Sequence, residues 1–423
     1  MTTAWTSSLL RPAPLRPAAL AHLGHRTPYL LMDLATVGRQ YRRFRELLPD
    51  VAVHYAVKCN PDPRVAAYLH GLGSRFEIAS SAELRMLMAQ GVPPSEIIYS
   101  NPVRPAAQIE AAASAGVGKF AADSEHELGQ LARYAPGARV YVRLATAAGG
   151  SKVPSEGKFG VTPGHAVSLL RQAADLGLKP YGLAFHVGSQ MPDPGEFGRA
   201  IERAGRLMSQ LQDAGIILGF LDMGGGFPAH YQDDAPDLAD HAAVINASLA
   251  EHLPYRVDLA IEPGRALVAN AGVMVTTVIG VADRAGRRWV HVDAGAFNGF
   301  MESLETQNRL LFPLADSRAS AQQGVFNLTG PSCDSQDTIM FDIRLSAGIR
   351  PGDLVYVYAA GAYTTSYASR FNGFDIPQTY CLPVPDPGGR GAAAGRRLAR
   401  SRAPRALPVR RAAKRPRPVP SRG

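Results

Sequence analysis

The chain has 423 residues, 46% of them hydrophobic and 19% charged, enough for two domains around a large core. Its formal charge of +9 comes from one end: residues 387–423 hold 12 of the 45 Lys and Arg and no acidic residue, which leaves 33 basic against 36 acidic residues in the body. That balance excludes a basic, nucleic-acid-binding body and leaves only the Arg/Pro/Gly/Ala-rich tail, expected to be disordered over 386–423, as such a surface.

A solvated extension is the preferred reading of the tail. No apolar run reaches the roughly 18 residues of a membrane helix, and no secretory signal is evident. Cys59, Cys333 and Cys381 are too few for a disulfide framework, and no spacing suits zinc or another metal. A reducing cytoplasm is the expected location.

In chain order, residues 1–27 read as irregular, broken by Pro12, Pro14 and Pro17. Residues 28–33 read as a strand that opens the first domain or joins the second. Val37, Tyr41, Phe44 and Leu48 then recur at helical spacing. Residues 51–58 follow as a strand: Val51, Val53, Tyr55 and Val57 alternate, and Lys58 ends it before Asn60-Pro61. The alternation goes on with helix 64–70, strand 76–79, helix 82–89, strand 96–100, helix 105–113 and strand 119–122. Helix 125–134 and strand 138–145 come next. A helix around Val167 and Leu170, strand 181–187, a helix from Phe197 to Leu211, and strands 216–223 and 257–262 complete the run.

Repeated strand–helix units predict a parallel sheet, best closed as a (β/α)8 TIM-like barrel over 28–270. An open doubly wound sheet is the alternative. Beyond Asn270, strands at 273–281, 288–293, 325–328, 338–343 and 353–358 predict a mostly β C-terminal domain over 271–385.

In such a barrel, reactive groups gather at the C-terminal ends of strands. Lys58, His186, the Asp222-Met-Gly-Gly-Gly226 turn and Glu262-Pro-Gly-Arg265 all sit at strand ends. Singly, each has an ordinary explanation: a surface lysine, a core histidine, a turn, an ion pair. Together they fit pyridoxal phosphate. An amine condenses with the aldehyde, glycines let backbone N–H groups approach a phosphate, and a carboxylate keeps the pyridine nitrogen protonated.

The ordered motifs Tyr55-Ala-Val-Lys58-Cys-Asn60, His186-Val-Gly-Ser189, Gly224-Gly-Gly-Phe-Pro228, Glu262-Pro-Gly-Arg265, Gly330-Pro-Ser-Cys-Asp334 and Gly361-Ala-Tyr363 resemble the barrel-type (fold type III) pyridoxal-phosphate-dependent amino-acid decarboxylases, above all the bacterial ornithine/lysine group. The resemblance covers about residues 28–382. It implies that Lys58 is the Schiff-base lysine and that His186 stacks on the ring. It gives Ser189, Gly225, Gly226, Arg265 and Tyr363 to the phosphate and Glu262 to the pyridine nitrogen. Arg143, Glu77 and Glu83 match positions near the cofactor, although the family more often has Asp at position 77.

The same resemblance implies a homodimer in which Cys333 and Asp334 enter the partner's site. Cys333 would return a proton and Asp334 would bind the substrate's distal ammonium. The segment Phe297-Asn-Gly-Phe-Met-Glu-Ser-Leu-Glu305 is similar to the family's substrate-facing segment, with Glu305 where Asp is typical; whether Glu302 or Glu305 faces the pocket stays open. The expected activity is decarboxylation of ornithine, or of lysine, to the diamine, as in polyamine biosynthesis. Alternatives are a diaminopimelate-like, shorter or conjugated amino acid, an alanine racemase, or a catalytically inactive decarboxylase-like regulator.

Overall fold

The computed structural model describes residues 15–20, 23–146, 150–153, 157–232, 235–382 and 384. The basic tail and the first 14 residues lie outside them. Within the segment expected to be irregular, Pro17–Leu20 forms one turn of helix.

Strand β1 (Tyr29–Asp33) leads into the helix Leu34–Leu47. Asp33 starts that helix by accepting hydrogen bonds from Ala35 N and Thr36 Oγ1. Val37, Tyr41 and Phe44 form its buried face, as their spacing predicts.

Eight strands then alternate with helices: β2 (Val51–Ala56), β3 (Arg75–Ile78), β4 (Ile97–Tyr99), β5 (Lys119–Ala122), β6 (Arg139–Arg143), β7 (Lys179–Ala184), β8 (Phe220–Asp222) and β9 (Asp258–Ile261). Each runs parallel to the next, and β2 pairs with β9 through Val51↔Leu259, which closes the barrel.

A strand's side chains alternate between faces, so the barrel interior can be followed along each strand. Ile98, Ala121, Tyr141, Ala184, Phe220 and Ala260 form a separate apolar cluster that plugs the middle. Two positions towards the C-terminal ends, the same face carries Arg143, Asp222 and Glu262; Glu77 shares it by pairing with Ile98. Towards the N-terminal ends it carries Arg75, Lys119, Arg139 and Asp258. One mouth is therefore rich in carboxylates and the other in cations.

The second domain contains β10 (Gly272–Arg284), β11 (Arg287–Val292), β12 (Leu314–Asp316), β13 (Gln323–Thr329), β14 (Thr338–Ser346), β15 (Leu354–Tyr358) and β16 (Gln378–Leu382). Their order is β12-β15-β10-β11-β13-β14, and β1 lies between β10 and β16. The first strand thus belongs to this sheet, while the helix after it packs on the barrel.

The alternation foreseen in the sequence holds, with three differences of consequence. Strand β2 stops at Ala56, and Lys58 stands on a 3-10 turn, Val57–Cys59. Strand β7 stops at Ala184, so His186 is on the loop beyond it. The helix Leu238–His252 is additional: it is rich in Ala, and its apolar period is weak in the sequence, although Asp237 and Asp240 form a capping box. No helix among the described residues is long and apolar enough to cross a membrane.

Between barrel wall and helices lies one buried ion pair. Arg104 Nε donates to Glu127 Oε1 at 2.6 Å, and its other nitrogens donate to Tyr99 O and Ala121 O. The guanidinium also lies over the rings of Tyr99 and Phe120. Removing the carboxylate strands a buried cation, so Glu127→Ala is expected to cost ~3–5 kcal/mol of unfolding free energy. Urea denaturation at fixed protein concentration checks this; a change below about 1 kcal/mol would contradict it.

Candidate active site

Lys58 owes its position to contacts from both domains. Its turn follows β2, and Tyr363 N, from the second domain, donates to Cys59 O at 2.9 Å. Asn60 Nδ2 donates to Gly361 O at 2.8 Å, and Ala56 N donates to Pro263 O. The side chain keeps 44% of its surface open to the mouth of the barrel, and its Nζ donates to Glu77 Oε2 at 3.1 Å. Burial opposes the charge on Lys58, but Glu77 and Glu262 outweigh it and hold the ammonium above its ordinary pKa.

The surrounding carboxylates outnumber the cations. Burial raises the Glu77 carboxyl, against the pull of Lys58. Burial pushes Glu83 up to about 7, with Glu77 acting in the same direction. Glu262 is pushed up to about 8 by burial and by the adjacent Asp222. Asp222 is itself pushed up to about 6 by burial. Ser100 Oγ donates to Glu262 Oε1 and is bonded in turn to Tyr141 OH.

Asp222 Oδ1 accepts from Gly224 N at 2.9 Å, while its Oδ2 is buried and meets no fixed N–H or O–H donor. The side chain of Glu262 is its hydrogen-bond neighbour, and two carboxyls can share such a bond only by holding a proton between them.

The glycine turn forms the adjoining wall. Gly226 has φ +112°, and a Cβ there would lie 2.6 Å from Gly188 O. A Cβ on Gly225 would lie 2.7 Å from Glu262 O. The backbone N–H groups of Gly225 and Gly226 donate to no backbone acceptor among the described residues. Bare backbone with free donors is what a phosphate-sized anion requires.

His186 lies against this turn. Its Nδ1 accepts from Gly188 N at 2.9 Å, which leaves the proton on Nε2. Burial, helped by Arg143 and Lys58, pushes its pKa down to about 3, so the ring is neutral.

Arg265 is buried, and it is already engaged. It donates to both oxygens of Glu302, to Tyr231 OH at 2.8 Å and to Ser189 Oγ, and it lies 4.8 Å from the centroid of the Tyr363 ring. The sequence leaves open which glutamate of this segment points inward. Glu302 is the inward one, on the short helix Met301–Glu305, while Glu305 is exposed.

Eight of the residues singled out in the sequence line one cavity: Lys58, His186, Ser189, Gly225, Gly226, Glu262, Arg265 and Tyr363. Glu77 is bonded to Lys58, and Arg143 acts on Lys58, Glu77 and His186 through its charge. Sequence reasoning assigned nothing to Ser100 or Tyr231, left Glu302 as an alternative to Glu305, and gave Asp222 only its place in the glycine turn.

Cys333 and Asp334 lie elsewhere, on an exposed loop. Asp337 fixes that loop by accepting from Ala296 N and Ser332 N, and Asn372 Nδ2 donates to Cys333 Sγ at 3.4 Å.

These features fit pyridoxal phosphate: an amine for its aldehyde, a carboxyl pair holding a proton for its ring nitrogen, a flat neutral imidazole for its face, and free N–H donors beside Ser189 and Arg265 for its phosphate. The comparisons with known proteins agree. The family described as "Pyridoxal-dependent decarboxylase, pyridoxal binding domain" matches residues 34–269. A lysine/ornithine decarboxylase from Selenomonas ruminantium is 36% identical over 362 residues, covering 84% of this chain and 89% of that one. The structure of SrLDC in complex with PLP and cadaverine superposes with a TM-score of 0.79 at 35% identity, over 86% of this chain and 92% of that one. A lysine/ornithine decarboxylase from Vibrio vulnificus, complexed with putrescine, gives 0.78 at 33% identity, over 86% and 96%.

An acid whose pKa is raised on folding contributes stability below its unfolded pKa and loses it as pH climbs through the folded one. For Glu262 that window runs from 4.5 to about 8. In the cofactor-free protein, Glu262→Gln is therefore expected to raise the melting temperature near about pH 9, with a gain that fades towards about pH 5. A gain that stays constant or grows as pH falls would contradict the buried, protonated acid.

Proposed function

This chain belongs to the pyridoxal-dependent decarboxylases, and from that premise we propose that it removes the α-carboxylate of lysine or ornithine as carbon dioxide, leaving the diamine. The observation that carries the reading is Lys58, held by Glu77 at 3.1 Å in the cavity that Glu262 also lines, where burial and Asp222 push the Glu262 acid up to about 8. Pyridoxal phosphate, when bound, supplies the sink for the electron pair left on the α-carbon.

Each residue then has a stated task. Lys58 is the amine that holds the cofactor's aldehyde and later releases the product. Glu262 provides the proton and the countercharge at the ring nitrogen, with Asp222 and Ser100 fixing its carboxyl. His186 supports the ring face as a neutral imidazole. Gly225, Gly226, Ser189 and Tyr363 hold the phosphate together with Arg265. Because Glu302 already neutralises that guanidinium, the backbone N–H groups and Ser189 carry more of the phosphate's charge than an unpaired arginine would leave to them.

The chain is proposed to work as a homodimer. Cys333 and Asp334 stand exposed on a loop whose base is tied down by Asp337, which suits residues offered to a neighbouring subunit. There the Cys333 thiol gives a proton to the α-carbon after carbon dioxide departs, and the Asp334 carboxylate takes the distal ammonium of a diamino acid. Glu305, exposed on the same short helix as Glu302, is the carboxylate proposed to face the substrate. The named activities of the relatives support a basic substrate.

Carbon dioxide release across a panel of amino acids tests this, with lysine or ornithine expected to lead. Lysine and ornithine both failing while another amino acid reacts would overturn the substrate assignment. Lys58→Ala is expected to lose activity and the cofactor's visible absorption together. Asp334→Asn is expected to lower kcat/KM for the diamino acids roughly 10- to 100-fold, the ~1.5–3 kcal/mol of a hydrogen bond to a charged group. Mixing inactive Lys58→Ala with Cys333→Ala is expected to restore part of the activity, because mixed dimers rebuild one intact site; no recovery would count against shared sites.

A further inference from the structure

The barrel's opposite mouth has no part in the chemistry above. Arg75 on β3, Lys119 on β5 and Arg139 on β6 open their strands on the inward face, on the far side of the apolar plug from Lys58. They line a cavity of about 1390 Å³. Lys119 Nζ lies 5.7 Å from the centroid of Tyr181 and 5.5 Å from that of Phe220, two stacked rings. The Arg139 guanidinium lies 5.2 Å from the same Tyr181 ring. An aromatic floor thus gathers two of the cations.

Little on the protein neutralises them. Among the described residues, none of the three forms an ion pair within 4.0 Å. Asp258 is the carboxylate on their face, and it accepts from Tyr181 OH at 3.3 Å. Asp50 and Glu96 are at the rim, where Glu96 turns to His70, and Arg45 and Arg256 add two further cations. The crowding lowers the pKa of Lys119 through burial first and then through Arg139 and Arg75. Beside this cluster His54 is buried and neutral, with an Nε2 that finds no partner. The rest of the body is slightly acidic, so the positive field is local to this mouth.

From this geometry we infer that the N-terminal mouth of the barrel is a binding site for a compact polyphosphate anion. Two guanidinium forks and an ammonium match the oxygens of adjacent phosphates, and a single carboxylate would leave most of the charge unanswered. The site is on the opposite face from the cofactor's phosphate seat and does not depend on the decarboxylase reading.

The test uses the holoenzyme, in which the cofactor already fills the other phosphate site. Tripolyphosphate is titrated calorimetrically at low salt. One site per chain is expected, weakening steeply as sodium chloride rises. Lys119→Gln with Arg139→Gln is expected to weaken binding at least tenfold while the activity measured without the anion stays unchanged. Arg75→Gln, a substitution of an exposed side chain, gives an independent reading and is expected to weaken binding several-fold even if the double variant fails to fold. Adenosine triphosphate in a parallel titration distinguishes the sources: equal affinity assigns binding to the phosphate chain, tighter affinity to a nucleotide. No binding to the wild type, or equal binding to wild type and Arg75→Gln, would overturn the inference.

Discussion

The site depends on an imbalance of charge. One ammonium, Lys58, and one nearby guanidinium, Arg143, face Glu77, Glu83, Asp222 and Glu262 at the C-terminal mouth of the barrel. Buried carboxylates cannot all stay ionised against so few cations. Burial raises Asp222, and burial with the charge of Asp222 raises Glu262, while Glu77 keeps the hydrogen bond from Lys58. One carboxylate therefore serves as the ammonium's partner and another as an acid, with the environment making the distinction. Asp222 also accepts from the N–H of Gly224, so the acid and the glycine turn are joined through a single side chain.

That arrangement needs both domains. Strand β1 precedes the barrel in the chain but is hydrogen-bonded between β10 and β16, and the helix after it returns to the barrel. From the second domain, the segment 361–363 reaches the turn that carries Lys58 and fixes it by Tyr363 N and Gly361 O. The approach is close: a Cβ on Gly361 would lie 1.9 Å from Val268 O, and one on Gly272 would lie 2.3 Å from Gly361 Cα. Glycine at both places lets the β domain sit against the end of the barrel. The lysine is thereby positioned by a turn with fixed ends, where a free strand terminus would let it swing.

Much of this was legible in the sequence because strand ends announce themselves. An apolar alternation that stops at a lysine, a histidine or an acid puts that residue at the rim of a barrel, and Lys58, His186 and Glu262 do share one cavity; Ser189, Gly225, Gly226, Arg265 and Tyr363, which the family resemblance pointed to, line it with them. What escaped was whatever depends on side chains meeting across strands. Ser100 and Tyr141 look ordinary in the chain, and only the closed barrel brings them to Glu262. Glu302 and Glu305 differ by three positions on a short helix, so the sequence could not say which one turns inward; burial against Arg265 decides it. Strand β16 was missed for a related reason: its partner, β1, is at the other end of the chain.

The central claim is that the side chain at position 58 is where the cofactor becomes attached. Borohydride reduction of the cofactor-loaded protein, followed by peptide mass spectrometry, tests it directly. The account predicts one stable pyridoxyl modification, on Lys58 in the peptide containing the turn Val57–Cys59. Modification of another lysine, with Lys58 recovered unmodified, would contradict it.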